Sequence, residues 1–151
     1  MYNLTPGKLK FLLNLYPPYL GAGVKIESIS PDWSELKVSM KLRWYNRNAV
    51  GTHSGGSLYS MVDPHLMLLL MQRLGRDYVV WDKSASIDFK SPGKGKVTST
   101  ITITEDDVSR IKEKATEESA CYPEFDVEIR AEDGELVSKI HKILYVKKKT
   151  R

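Results

Sequence analysis

The run GGSLYSMVDPHLMLLLMQRLG, Gly55 to Gly75, decides how the rest of the chain is read. Leu58, Met61, Val62, Leu66, Met67, Leu69, Leu70 and Leu74 spread nearly all round a helical wheel, and glycines mark both ends. One long helix, roughly Gly55–Gly75, is expected, and a helix without a polar face must be buried. Its most apolar part, Leu66–Met71, is six residues bounded by Asp63 and His65 on one side and Gln72 and Arg73 on the other. A bilayer span needs about 20 apolar residues, so no membrane-crossing role is expected.

The segments around this helix alternate as strands do. From Ser34 to Trp44, Leu36, Val38, Met40, Leu42 and Trp44 face one way, and Glu35, Lys37, Ser39, Lys41 and Arg43 face the other. Residues 97–104 and 124–131 repeat the pattern, and Asp133-Gly134 turns the latter back onto 136–146. Residues 22–30 and 78–89 are less regular strands. About six strands, mostly joined by hairpin-like connections and wet on one face, predict an α+β fold: a curved antiparallel sheet wrapped around one central helix. Residues 1–17 read as a leading helix stopped by Pro17-Pro18, and the acidic stretch 105–118 as a surface helix or loop.

A length of 151 residues fits one domain, 1–151, with a full core. The net charge of +4 comes from 23 Lys+Arg against 19 Asp+Glu, and Lys147, Lys148, Lys149 and Arg151 supply all of the excess. The tail 147–151 is therefore expected to be a solvated, frayed end, and a terminal cluster without interleaved aromatics does not read as a nucleic-acid surface. One cysteine, Cys121, makes no internal disulfide and fits a reducing, cytoplasmic setting. The start, MYNLTPGKLKFLLNLYPP, carries no A-x-A cleavage pattern and reads as mature protein. His53, His65 and His141 show no spacing for a shared metal, and no glycine motif for a dinucleotide or P-loop is present.

The chemistry concentrates at Asn48-Ala-Val-Gly51-Thr-His53-Ser54-Gly55-Gly56 and, seven residues after Gly56, at Asp63. Two glycines opening a helix leave main-chain N–H groups unused and unshielded, the raw material of an oxyanion hole. They equally permit close packing of the helix start on the sheet. Asp63 is a carboxylate inside an apolar run, which suits a base or nucleophile. Pro64 behind it removes a helical donor and disfavours α geometry at Asp63, so the helix is expected to kink or break there. Asp63 as N-cap with Pro64 in the first helical position is the plain alternative.

Asn48, Gly51, Gly55, Gly56 and Asp63 fall in register with a motif of the hotdog-fold acyl-CoA thioesterases, Asn-x-x-Gly-x-x-His-Gly-Gly followed by a helical Asp, most closely in the phenylacetate-pathway type and in uncharacterised thioesterase-like branches. The segment from Ala85 to Gly95 also resembles that family's third strand and its Pro-Gly turn. Ser54 stands where the motif has histidine, with His53 one residue early, so no role for an imidazole carries over.

The resemblance implies a hotdog fold, acyl-CoA hydrolysis with no cofactor beyond the coenzyme A of the substrate, and a homodimer or dimer of dimers whose site joins residues of two subunits. Asp63 would attack the thioester or activate water, the Gly55 and Gly56 amides would hold the carbonyl oxygen, and Asn48 would position the carbonyl or shape the loop. Ser54, Ser84, Ser86 and Lys90 are candidate substrate contacts, with Lys94 or Lys96 beside Lys90 for the phosphates. The second reading is a non-catalytic protein that binds an acyl chain or acyl-CoA.

Overall fold

In the computed structural model, which describes residues 2–150, the strands are β1 (Val24–Ile29), β2 (Glu35–Lys41), β3 (Tyr78–Phe89), β4 (Lys96–Thr102), β5 (Glu124–Ala131) and β6 (Leu136–Lys148). They form one antiparallel sheet in the order β1-β2-β4-β5-β6-β3. Tight turns join only β1 to β2 and β5 to β6; the other three pairings are made across intervening helices, where hairpin-like links were expected. Gly134, at φ +89°, supplies the left-handed residue of the turn after Asp133.

The expected central helix is two: α3 (Gly55–Ser60) and α4 (His65–Leu74). Pro64 has no N–H to continue the ladder, and the first bond of α4 runs from the Leu68 N–H to the Pro64 carbonyl at 2.9 Å. The pair still runs through the centre of the protein. Leu58, Met61, Val62, Leu66, Leu69 and Leu70 are buried against Ile26, Val38, Met40, Val97, Ile129, Ile140 and Leu144 of the sheet.

The leading segment is also two helices, α1 (Pro6–Leu15) and α2 (Pro17–Ala22). Pro17-Pro18 start α2 instead of ending the segment, because a proline in the first turn forfeits no helical bond. The Asn14 side chain lies along β1, accepting the Ile26 N–H at 2.7 Å and donating to the Ile26 carbonyl at 3.1 Å. α5 (Glu105–Glu117) is a helix with a full capping box between Thr104 and Asp107, and it buries Val108, Ile111 and Ala115 on one face.

Two boundaries differ from the sequence reading. β2 ends at Lys41, and Trp44, expected to face inward, is 81% exposed. Asn46 explains this: its side chain accepts the Arg43 N–H and donates to the Ala22 and Lys41 carbonyls, turning the chain before the alternation can continue. The basic end is not frayed as far as Lys149. Lys147 and Lys148 pair with Val79 and Tyr78, and the Lys149 N–H bonds the Asp77 carbonyl at 2.8 Å. Arg151 lies outside the described residues.

Candidate active site

Ser54 opens α3 as its N-cap, accepting the Ser57 N–H and donating its own hydroxyl to Ser57 Oγ at 2.9 Å. The hydroxyl proposed to meet substrate thus serves the helix. Asn48 is similarly occupied. Its Oδ1 accepts the N–H groups of Val50 and Thr52, and its Nδ2 donates to Thr52 Oγ1, so it shapes the loop. His53 is buried and donates from Nε2 to the Gly95 carbonyl at 2.8 Å, fastening this loop to the turn before β4; burial holds its pKa below the ordinary range.

Neither the Gly55 nor the Gly56 amide has a hydrogen-bond partner among the described residues, as befits the first turn of a helix. Their side-chain positions differ. A Cβ at Gly55 would stand 2.8 Å from the Phe89 ring, whereas one at Gly56 would meet nothing within 4 Å. Close packing therefore explains glycine at position 55 alone. Gly55, Asn48, Leu58, Phe89, Lys90 and Lys94 line a cleft of about 640 Å³, with the two lysines at its rim. Lys96 lies apart from it, 3.7 Å from Glu27 in a second, basic groove of about 540 Å³ beside β1 and β2.

Asp63 does not line the cleft. It sits in the turn between α3 and α4, where its side chain is 50% exposed. Pro64, not Asp63, occupies the cap position of α4, and no side chain caps that helix, so the break does not make Asp63 an N-cap. Instead the carboxylate is engaged by its surroundings. It lies beside the Tyr59 hydroxyl, whose pKa is raised by burial and then by this charge. Its Oδ1 is 3.6 Å from the ammonium of Lys142, which also donates to the Asp63 main-chain carbonyl. The helix break frees that carbonyl, since the α4 ladder starts one residue later.

Lys142 and its second partner, Asp82 at 2.8 Å, were not singled out in the sequence. The signal was present in the alternation of β6: Ser138, Ile140, Lys142, Leu144 and Val146 share one parity, and every other member of that series is buried. A lysine in such a series demands an anion. Next to this cluster, His65 is fully buried against the Tyr19 hydroxyl at 2.9 Å, and burial followed by the Lys142 charge pushes its pKa down to about 3.

Ser84 and Ser86 are not brought to Asp63. A bulge in β3 between Asp82 and Ser84 changes the strand's parity, so that Ser84 and Ser86 pair with Ile143 and His141 while Ala85 pairs with Lys142. The two serines share the outward parity, away from α3 and α4. Lys90 reaches the cleft rim and stands 3.7 Å from Asp88. The three histidines are separate, with His53 on Gly95, His65 on Tyr19, and His141 on Asp126 and Glu124. Among the described residues no three His, Cys, Asp or Glu side chains gather as metal ligands, and no helix is long and apolar enough to cross a membrane.

The family described as Domain of unknown function (DUF4442) matches residues 8–146. Comparison with curated proteins returned no match. Among solved structures, a Pseudomonas aeruginosa protein described as of unknown function and "Probable Thioesterase" superposes with a TM-score of 0.81 at 16% identity, over 95% of this chain and 97% of that one. A Haemophilus influenzae thioesterase gives 0.69 at 16% identity, over 97% and 92% of the two chains. A Chlorobaculum tepidum protein of unknown function gives 0.75 at 16% identity, over 99% and 100%. At this identity the likeness shows the fold: α+β, a six-stranded antiparallel sheet curved around central helices in the hotdog manner.

Proposed function

This chain belongs to the family of the Domain of unknown function (DUF4442), whose match covers residues 8–146, and we propose that it is a hotdog thioester hydrolase acting on an acyl-CoA. The observation that carries the reading is the free Gly55 amide at its cleft, with Asp63 following in the sequence though outside that cleft. An unpartnered main-chain donor bounds a cleft with a basic rim, and eight residues later a half-exposed carboxylate is held on a broken, otherwise apolar helix. The register of Asn48, Gly51, Gly55, Gly56 and Asp63 with the phenylacetate-pathway motif supports it, as do the thioesterase names among the fold relatives.

In this reading the site is completed by a second copy. β3 is an edge strand of 12 residues, unpaired on its outer side among the described residues, with Trp81 60% exposed along it and Phe89 58% exposed at its end. A long bare edge of this kind is a template for another strand. Pairing β3 with β3 of a twin joins the sheets and brings the cleft of one subunit to the Asp63 of the other.

The thioester carbonyl then accepts from the Gly55 amide, with Gly56 next to it, while Lys90 and Lys94 meet the coenzyme's phosphates. Either Asp63 takes a proton from the attacking water and the C–S bond breaks to give the carboxylic acid and the free thiol, or Asp63 attacks the carbonyl carbon itself, the thiol leaves, and water then hydrolyses the acyl-aspartyl anhydride to the acid and free Asp63. A thiol of pKa about 8.5 leaves without strong acid assistance, so serine in place of the motif histidine is compatible with turnover. A single buried cysteine fits work in a reducing compartment.

The full occupation of Ser54 and Asn48 by their own loop favours the second reading, an acyl-CoA binding protein that does not turn over. Asp63→Asn, assayed for thiol release against a panel of acyl-CoAs, separates the two. Loss of hydrolysis by at least 100-fold with the fold retained supports catalysis by Asp63. Wild-type binding without turnover establishes the binding protein instead.

A further inference from the structure

Lys142 has no part in the proposed chemistry, yet it is the largest side chain buried without any exposure. An ammonium withdrawn from water is tolerated only where it is paired and hydrogen-bonded. Here the acceptors arrive from two sides. Asp82 of β3 stands 2.8 Å away, and Asp63 offers both its main-chain carbonyl and, at 3.6 Å, its carboxylate. The Tyr59 ring lies with its centroid 5.8 Å from the ammonium.

Two irregularities of the fold converge on this arrangement. Pro64 interrupts the helix so that the Asp63 carbonyl is left for the lysine. The bulge in β3 holds Asp82 opposite Leu144 and puts only the methyl of Ala85 across from Lys142. Breaks in regular structure of this kind are local costs that persist where the surroundings demand them.

Resting on the thioesterase reading, we infer that Lys142 is a positioning residue for Asp63. Its ammonium is anchored to Asp82 and grips Asp63 from inside the core by main chain and carboxylate together. This fixes where the reacting oxygen stands while leaving the outer half of the carboxylate open to substrate. Apart from the Tyr59 hydroxyl, a turn between two helices has little else to hold its side chain to within the fraction of an ångström that attack requires.

The test compares Lys142→Met with the pair Lys142→Met/Asp82→Asn in the full-length protein, reading Tm, kcat and KM on an acyl-CoA that the wild type hydrolyses. The single variant strands the Asp82 charge and is expected to lose both stability and turnover. The pair removes both charges, so its Tm is expected to return toward wild type and its KM to stay within about threefold. Its kcat should remain down by about 100-fold, the cost of a misplaced reacting group. A pair variant whose kcat recovers along with its Tm would show that the lysine merely balances Asp82, and would overturn the inference. A wild type that hydrolyses no acyl-CoA overturns the thioesterase reading first and the inference with it.

Discussion

Alanine at Gly55 and at Gly56 should have opposite consequences, although the two glycines are neighbours in the same helical turn. Replacing glycine by alanine in a helix gains about 0.5–1 kcal/mol by removing chain freedom from the unfolded state. At Gly56 nothing lies within 4 Å of the new methyl, so the gain stands alone. At Gly55 the methyl would sit 2.8 Å from Phe89 Cζ and 3.2 Å from its Cε1. Carbon atoms settle at about 3.5 Å or more, so ring or helix start must yield by roughly 0.7 Å. Overpacking of that kind costs about 1–3 kcal/mol, and with Phe89 58% exposed the ring and the helix start divide the shift between them, which favours the lower end. The net expectation is a loss of about 0–2 kcal/mol for Gly55→Ala against a gain of about 0.5–1 for Gly56→Ala, read as Tm at about 2–4 °C per kcal/mol for a chain of this size. Turnover separates them further. Displacing the Gly55 amide by a comparable distance from the thioester oxygen should lower kcat about 10- to 100-fold, while Gly56→Ala, which keeps its amide in place, stays within about threefold. Wild-type kcat in Gly55→Ala would refute the oxyanion assignment, and equal Tm values for the two variants would refute the packing argument.

Removing residues 147–151 forfeits the pairing of Lys147 and Lys148 with β3 and the Lys149 amide bond to Asp77, about 2–3 kcal/mol at roughly 1 per hydrogen bond; calorimetry should show a Tm lower by about 4–12 °C, and an unchanged Tm would mean that the strand ends at Val146. His65 is neutral in the fold, with its pKa down to about 3 against 6.5 unfolded, so its share of stability is complete above pH 6.5 and is lost as pH falls from 6.5 toward 3. Urea unfolding between pH 6.5 and 5 should show a decline approaching about 1.4 kcal/mol per unit once the unfolded imidazole is charged, and a flat profile counts against burial. Trp81→Lys on the bare edge of β3 should yield a folded monomer by sedimentation with turnover lost; a fully active monomer would exclude a site shared between subunits.

Where a period dominates, the chain announces its fold. The inward series of β2 is read correctly through Met40 because each residue's partner alternates with it, and the less regular run 78–89 still has the limits of β3. The helix break was announced by Pro64, whose missing donor is a local property. The reading fails where a distant group intervenes. Asn46 reaches back to Ala22 and Lys41 and ends β2 early, and the β6 ladder continues through the lysines because β3 is long enough to receive them. Composition marks those lysines as solvated, and solvated side chains do not prevent main-chain pairing. At the site, Gly55 and Lys90 line one cleft, but the bulge at Lys83 turns Ser84 and Ser86 outward, and no local signal marks a bulge. Lys142 was legible only to a reader who asked why a cation follows the parity of Ile140 and Leu144.

The two borders of the sheet are unequal. On β1 the Asn14 carboxamide imitates a neighbouring strand, giving and taking one hydrogen bond at Ile26, while α1 lies along that side. On β3 nothing comparable stands guard among the described residues. A sheet that can be extended at one border only cannot polymerise: once two such borders have met about a twofold axis, the growing ends are both stoppered, and the assembly terminates at a single pair. On the proposed meeting of two β3 borders, Asn14 and α1 together stopper the opposite border, and the pair is the closed unit.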